Sequence, residues 1–486
     1  MKFRRKQPYW IITSLVLGVA LVLISVSASG AQNPSESDLA ASTEVYLPLM
    51  VNTYPWIAPI GAQVVDFNDP NVTALAKDGG VQWARMDVFR WGKIEPQNTN
   101  SSGYKWSAVD ESSLIAAHEN GINVIGIIRD TPSWAQQIPP YSCGPISQTA
   151  MPEFSNFVRD LVKRYSKPPF NVKYWEIWNE PDVVYSPELG FDSVFGCWGN
   201  ADPGQSREFY GGIYFGEMLN VIYPVIKSVD PDAEVGIGGL LLDCDPTIDK
   251  NCLSGLFFEG ILRSGKPFRG DNFDFVSYHG YTPYAGPSKS LSLDEGNPKW
   301  SHRGGVVLGK LAFIREVMGK YGIDKPVFHT EGALICPEYL PAECDPPGSD
   351  FEEAQADYVP WLFVRNWAND VDVTIWYQLQ GPGWRYGGLL DEVQDPKPAY
   401  TALKFLSQEL HSTTYSGRVL EGSGVAGYEF KKNDLRIWVL WSPDEVNHTV
   451  TLPSSAKKAF NLYGAPRTFS GNQITVNRPV YIELSP

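Results

Sequence analysis

The chain has 486 residues, too many for one small domain and enough for a large barrel with an accessory module. Hydrophobic residues make up 43% and aromatic residues 13%, with 16 Trp and 24 Tyr, which supports a sizeable core and supplies flat rings that stack on sugars or bases. A formal net charge of -15 argues against nucleic acid, whose phosphates call for a cationic face, and leaves carbohydrate as the better partner.

Residues 1–31 begin with Lys2, Arg4, Arg5 and Lys6, continue through an apolar run from Trp10 to about Val26, and end in Ser27, Ala28, Ser29, Gly30 and Ala31. That order reads as a secretory signal or, because the run approaches the length of a membrane span, as an uncleaved anchor. Either reading exports the body of the chain, to a secreted or extracytoplasmic location. Residues 32–43, rich in Ser, Ala, Asn and Glu without periodicity, read as a flexible linker. Six cysteines in an exported chain point to disulfides rather than metal ligands. Cys244 and Cys252 bracket one short loop and Cys336 and Cys344 another, so loop proximity pairs each locally and leaves Cys143 with Cys197. No His/Cys spacing suggests zinc, and neither a metal nor an organic cofactor is expected. The expected state is a monomer, with membrane contact only through an uncleaved N-terminal segment.

From Ile60 onward, apolar strand-like runs alternate with helical periodicity. The strand candidates are 60–65, 81–88, 123–129, 172–178, 234–241, 273–279, 326–331 and 373–378. Between them, Phe154, Phe157, Val158, Leu161 and Tyr165 share one helix face, as do Val307, Leu311, Ile314, Met318 and Tyr321. Further helical stretches cover about 72–77, 106–119, 209–229, 256–263, 351–367 and 400–410. Eight alternations in roughly 350 residues predict an α/β fold, a (β/α)8 TIM barrel over 44–410. A doubly wound sheet would need a glycine-rich phosphate turn after the first strand, and Ile60-Gly61-Ala62-Gln63 supplies none. Beyond His411 the rhythm changes to short strand-like runs at 425–430, 435–440, 448–452, 473–476 and 480–484. This predicts a small all-β module, β-sandwich-like, over 411–486, joined by a strand from 44–50.

In a barrel the chemistry gathers where strands end. The fourth candidate strand runs Tyr174-Trp175-Glu176-Ile177-Trp178 and breaks into Asn179-Glu180-Pro181-Asp182, leaving a carboxylate at its tip. The seventh, Pro326-Val327-Phe328-His329-Thr330-Glu331, ends in a second glutamate. The sixth ends in His279-Gly280-Tyr281, the second carries Arg85 and the eighth Trp376. Two facing carboxylates are what glycosidic cleavage needs, one protonated to assist the leaving oxygen and one ionised to attack or to activate water. Alternation places His329 on the same side as Glu331, lining the barrel below it. Trp134, Trp91, Tyr284 and Trp384, in loops after strands, are candidates to stack on sugar or to cover the mouth, and Asp130 and Asp182 are candidate hydroxyl binders. Sequons stand at Asn71, Asn100 and Asn447.

These residues resemble the retaining glycoside hydrolases of clan A over about Ile60 to Leu410. The resemblance implies that Glu180 is the acid/base and Glu331 the nucleophile, and that Asn179 binds the sugar 2-hydroxyl. It also implies that Tyr281 hydrogen-bonds Glu331, that Arg85 favours the ionised Glu331, and that Trp376 floors the sugar subsite with a cis Trp376-Tyr377 bond. Arg85, Asn179, Glu180, His279, Tyr281, Glu331 and Trp376 fit family 5, yet its strand-three histidine is missing from Ile127-Ile128-Arg129-Asp130-Thr131-Pro132-Ser133-Trp134. That Thr-Pro-Ser-Trp turn and Trp-Glu-Ile-Trp-Asn-Glu-Pro-Asp look more like family 39 and its relatives. The implied activity is hydrolysis of a poly- or oligosaccharide. The alternatives are a transglycosylase using the same residues and a non-catalytic carbohydrate-binding protein with an inert barrel.

Overall fold

The computed structural model describes residues 58–485 apart from 101, 185, 187–192, 202–207, 266–269 and 287–291. The expected signal or anchor, linker and strand 44–50 lie outside the described residues. Eight strands, β1 (Ile60–Gln63), β2 (Trp83–Arg90), β3 (Asn123–Arg129), β4 (Tyr174–Ile177), β5 (Glu234–Leu240), β6 (Phe275–His279), β7 (Val327–Gly332) and β8 (Val373–Trp376), pair in parallel and close into a barrel. The major helices are α1 (Pro70–Asp78), α2 (Glu111–Glu119), α3 (Met151–Tyr165), α4 (Gly212–Val229), α5 (Phe257–Ser264), α6 (Val306–Lys320), α7 (Ser349–Ala368) and α8 (Pro398–Glu409), one after each strand. Their apolar stripes bury against the outside of the barrel; on α3 Phe154, Phe157, Val158, Leu161 and Tyr165 are all fully buried, as their spacing predicts.

The barrel interior is layered. At the N-terminal end of the strands, Trp83, Ile125, Phe275, Phe328, Val373 and Ile375 form a separate buried cluster, and Phe275 stacks on Phe328 with ring centroids 4.3 Å apart. This apolar plug closes the lower barrel, so the inward side chains above it can be polar without facing a pore. Two residues further along the strands, that row becomes Arg85 and Glu176.

The C-terminal strands are β9 (Thr414–Arg418), β10 (Ala426–Lys432), β11 (Leu435–Trp441), β12 (His448–Thr451), β13 (Ala456–Asn461), β14 (Pro466–Arg467), β15 (Gln473–Val476) and β16 (Val480–Leu484). They form a six-stranded sheet in the order β9-β10-β11-β16-β13-β14 and a two-stranded sheet, β12-β15. Alternation on β11 sorts the faces: Trp438 and Leu440 join Val450, Leu452, Ile474 and Val476 in the core between the sheets, whereas Ile437, Val439 and Trp441 face the barrel. Trp367 of α7 meets Phe430 at 5.1 Å, Phe405 of α8 meets Tyr481 at 5.1 Å, and Arg478 pairs with Asp357 of α7 at 2.8 Å. The sequence pattern missed β9, β13 and β14, whose burial is too slight to read as alternation: β9 and β14 have no fully buried residue and β13 has one, Ala459.

Candidate active site

Arg85 is the centre of the site. It lies on β2 beside Gln63 of β1, is 1% exposed, and divides its donors among four acceptors. Nε and Nη2 donate to Glu176 Oε1 at 2.8 and 2.5 Å, Nη1 to Gln63 Oε1 at 3.2 Å, and Nη2 to Asn179 Oδ1 at 2.6 Å. Nη1 also donates to Glu331 Oε1. Burial works against the guanidinium charge, but Glu176 and Glu331 more than offset it, so Arg85 remains a cation.

Glu331 reaches this cation because β7 is irregular. Phe328 belongs to the apolar plug, so strict alternation would turn Thr330 inward and Glu331 outward. The pairing with β6 instead matches Tyr278 to His329 and His279 to Glu331, a one-residue bulge that re-aims the carboxylate into the barrel. The same bulge corrects the expectation for His329. Its ring stacks on Tyr278 at 4.6 Å, and Nδ1 shares a hydrogen bond with Asn366 Nδ2 of α7 at 2.8 Å, on the helix side of the strand rather than below Glu331. The second Glu331 oxygen accepts a hydrogen bond from Tyr281 Oη.

Glu180 arrives from the segment after β4. Trp178 and Glu180 have φ of 74° and 46°, a left-handed backbone that L side chains seldom adopt outside constrained sites. Neighbouring loops hold it: Trp178 Nε1 donates to Cys143 O at 2.9 Å, Glu180 N to Gly239 O at 3.0 Å, and Asn179 Nδ2 to Val194 O at 2.9 Å. His279 Nδ1 lies 2.8 Å from Glu180 Oε1 and 3.4 Å from Glu331 Oε2. A Cβ at Gly239 would fall 1.9 Å from His279 Nε2, so glycine at that point of β5 makes room for the ring. Buried Lys310 of α6 holds the far side, donating to His279 O at 2.9 Å and Leu241 O at 2.5 Å.

Both glutamates are buried, and burial raises both carboxyls, but their neighbours differ. For Glu331 the Arg85 charge and the hydrogen bonds from Tyr281 and Arg85 oppose the rise. For Glu180 the charges of Glu331 and Asp182 add to burial, and the more distant Lys310 and Arg85 only partly oppose them, so its carboxyl stands well above the ordinary range. When the pair holds one proton, it sits on Glu180. His279 is neutral, pushed well below its usual value by burial and then by Arg85.

Glu180, His279 and Glu331 place ligand-type atoms within 4.8 Å of one another, a set that a divalent cation could also use. The donors do not favour it, because the Glu331 oxygens are already engaged by Arg85 and Tyr281 and the guanidinium supplies the local positive charge.

Other expected residues fall elsewhere. Trp376 is fully buried, donates from Nε1 to Gly387 O at 2.8 Å and packs on Tyr358 of α7, so it faces the helices and does not floor the site. Val373 and Ile375 point into the barrel, and by the same alternation Tyr377 is the next inward residue; its ring stands edge-on to Tyr281 at 5.8 Å. The cis peptide is likewise one residue further on, at Tyr377-Gln378 rather than Trp376-Tyr377. Asp130 is 2% exposed, with its two oxygens paired to Arg90 at 2.5 Å and Arg129 at 2.8 Å, so no open edge of it faces a sugar hydroxyl. Asp182 is buried and accepts from the backbone N–H groups of Leu241 and Leu242, fixing the loop after β5. Trp134 is half-buried against Trp91 and donates to Glu95 O, while Trp91 and Tyr284 are fully buried. Trp384 is the exposed ring, 46% accessible and 5.0 Å from Tyr281.

The sequence reading passed over Glu176, Tyr377 and Lys310. An acidic residue in the inner row of a buried strand was the available signal for Glu176, and alternation from Ile375 was the signal for Tyr377. Lys310, a lone cation on an apolar helix face, gave none that spacing could locate. The disulfides join Cys143 to Cys197, Cys244 to Cys252 and Cys336 to Cys344, with Cα separations of 5.3, 5.7 and 5.5 Å. All three lie in segments that follow strands, on the face that holds Glu180 and Glu331.

Solved structures share this architecture. A family 39 glycoside hydrolase from the gut symbiont Bacteroides cellulosilyticus superposes with a TM-score of 0.64 at 17% identity, over 88% of this chain and 81% of that one. A monomeric beta-xylosidase from Caulobacter crescentus gives 0.56 at 16% identity, over 89% and 97% of the two chains. A GH30 endoxylanase from Clostridium papyrosolvens gives 0.55 at 11% identity, over 89% and 97%. The fold is that of the clan A glycoside hydrolases. No protein-family model and no curated protein matches the chain. Among the described residues, no helix is long and apolar enough to cross a membrane.

Proposed function

We propose that the protein is an exported retaining glycoside hydrolase that cleaves O-glycosidic bonds of a poly- or oligosaccharide by double displacement. The observation that carries this reading is the pair Glu180 and Glu331, whose facing atoms lie within 4.8 Å and whose surroundings differ. Facing oxygens this close leave little room for a water between the carboxyls, as covalent catalysis requires, whereas the carboxyls of an inverting pair stand roughly 6.5–9.5 Å apart to admit one. Glu331, beside Arg85 and Tyr281, is the ionised member; Glu180, raised well above the ordinary range, carries the proton.

In the first step a Glu331 oxygen attacks the anomeric carbon as the bond to the leaving oxygen breaks, and that oxygen takes the Glu180 proton. Forming the ester removes the negative charge from Glu331, which lowers the proton affinity of Glu180 and prepares it as a base. Glu180 then accepts a proton from water, whose oxygen attacks the anomeric carbon and releases Glu331. The two inversions give net retention. Tyr281 and Arg85 return Glu331 to its ionised state, and Asn179, held by Arg85 at 2.6 Å, is oriented toward the sugar 2-hydroxyl. Three disulfides fit an oxidising compartment and so support export.

Glu331→Ala should lower turnover by about 10⁴-fold or more, since no other group forms the ester. Added azide should then restore cleavage of an activated glycoside and give a glycosyl azide of inverted configuration. Unchanged activity in that variant contradicts the assignment.

A further inference from the structure

The turn after β8 is built to hold the exposed Trp384 ring in one place. Gly383, Arg385 and Tyr386 have φ of 71°, 49° and 60°, so two non-glycine residues next to the tryptophan take a left-handed backbone that persists only where the surroundings enforce it. Buried side chains do so through the carbonyls that follow. Lys397 Nζ donates to Tyr386 O at 3.2 Å and Gly388 O at 2.8 Å, Gln355 Nε2 to Tyr386 O at 3.0 Å, and Trp376 Nε1 to Gly387 O at 2.8 Å. Cys336 N, in the segment after β7, donates to Arg385 O at 3.0 Å. Backbone strain held this firmly gathers at ligand-binding turns.

The ring is one wall of a groove of about 320 Å³ that also includes His279, Tyr281, Asp243 and Lys299. His279 touches Glu180 and Tyr281 touches Glu331, so the groove begins at the catalytic pair. Arg85 and Asn179, on the other side of that pair, lie outside its lining. Strand order separates Asp243, after β5, and Lys299, after β6, from Trp384, after β8. Lys299 Nζ donates to both Asp243 oxygens at 2.9 Å, and this ion pair is open to solvent. Arg385 lies over one face of the indole at 4.9 Å and does not line the groove, which leaves the other face for a flat partner.

Resting on the glycosidase reading, we infer that Trp384 is the stacking platform of a leaving-group subsite, so that the unit released in the first step is itself a sugar. A sugar ring offers an apolar C–H face and a rim of hydroxyls; the indole suits the first and the Asp243–Lys299 pair the second. An alkyl chain would use the indole but strip water from the ion pair without replacing its hydrogen bonds. The side of the cleaved bond follows from the acid: Glu180 gives its proton to the leaving oxygen, and the groove opens beside His279, which contacts that same carboxyl.

The test isolates this subsite in the second step. Dinitrophenyl 2-deoxy-2-fluoro glycosides of pentoses and hexoses are screened for the one that traps the ester on Glu331 fastest, and recovery of the trapped enzyme is timed in buffer, with methyl glycosides and with butanol. In recovery an acceptor hydroxyl gives its proton to Glu180 while its oxygen attacks the anomeric carbon, and Glu331 leaves as the carboxylate. Only molecules folded well enough to be trapped are counted. With wild type, at least one methyl glycoside should speed recovery saturably by about 10-fold over water, and butanol should not. Trp384→Leu should lower that acceptor-to-water ratio by about 10-fold, and Trp384→Phe, which keeps a ring, should restore most of it. No stimulation by any methyl glycoside, equal stimulation by butanol, or an unchanged ratio in Trp384→Leu overturns the inference. Failure of every fluoro glycoside to trap the enzyme would instead contradict the ester on Glu331, and with it the reading on which the inference rests.

Discussion

The tips of β4 and β7 present the same side chain, buried to a similar degree, in different company. At the end of β7, Glu331 touches a fixed cation and a phenol that donates to it. Past the end of β4, Glu180 touches only a neutral imidazole, with the ammonium of Lys310 one layer away on the carbonyls of Leu241 and His279. Burial alone would make two equivalent acids. What separates them is the contact of Glu331 with Arg85 and Tyr281 and the charge of Asp182 near Glu180, and the division of labour between attacking base and proton donor depends on that asymmetry.

Loss of the nucleophile is the largest effect this comparison implies, and loss of the acid comes next. Glu180→Ala should cost about 10²–10⁴-fold on a natural glycoside, whose poor leaving group needs the proton, and far less on a 4-nitrophenyl glycoside in the first step. An equal loss on both substrates would show that Glu180 is not the donor. Tyr281→Phe probes the other tip more gently. The Tyr281 hydrogen bond lowers the Glu331 pKa, so removing it raises that pKa and moves the acid limb of the kcat/KM profile to higher pH. A profile unchanged on that limb would detach Tyr281 from Glu331. The smallest effect is expected from Lys310→Met. The Lys310 ammonium, itself lowered to about 8 by burial, favours ionised Glu180; without it the Glu180 pKa rises and the alkaline limb moves up. A downward movement would reverse the sign assigned to that charge.

How much of this could be read from the sequence depends on how regular the backbone is. Strands with strict alternation, such as β3, and helices with a clear stripe, such as α3, were legible, and so was the eightfold repeat. Glu180 and Glu331 were legible because an acid after a long apolar run is conspicuous. What failed were the details set by single-residue irregularities. The bulge in β7 separated His329 from Glu331, and the end of β8 put Tyr377 where Trp376 had been expected. Asp130 illustrates a second limit: an acid just past a strand reads as a sugar binder, and only the positions of Arg90 and Arg129 show that its buried carboxylate is spent on ion pairs.

The most direct test of the central claim is the anomeric configuration of the first product, followed by proton NMR before mutarotation during hydrolysis of the best glycoside. Nucleophilic attack by Glu331 with Glu180 as its acid and base predicts a product that appears first with the configuration of the substrate. First appearance of the opposite anomer would contradict a covalent intermediate and, with it, the roles assigned to the two glutamates.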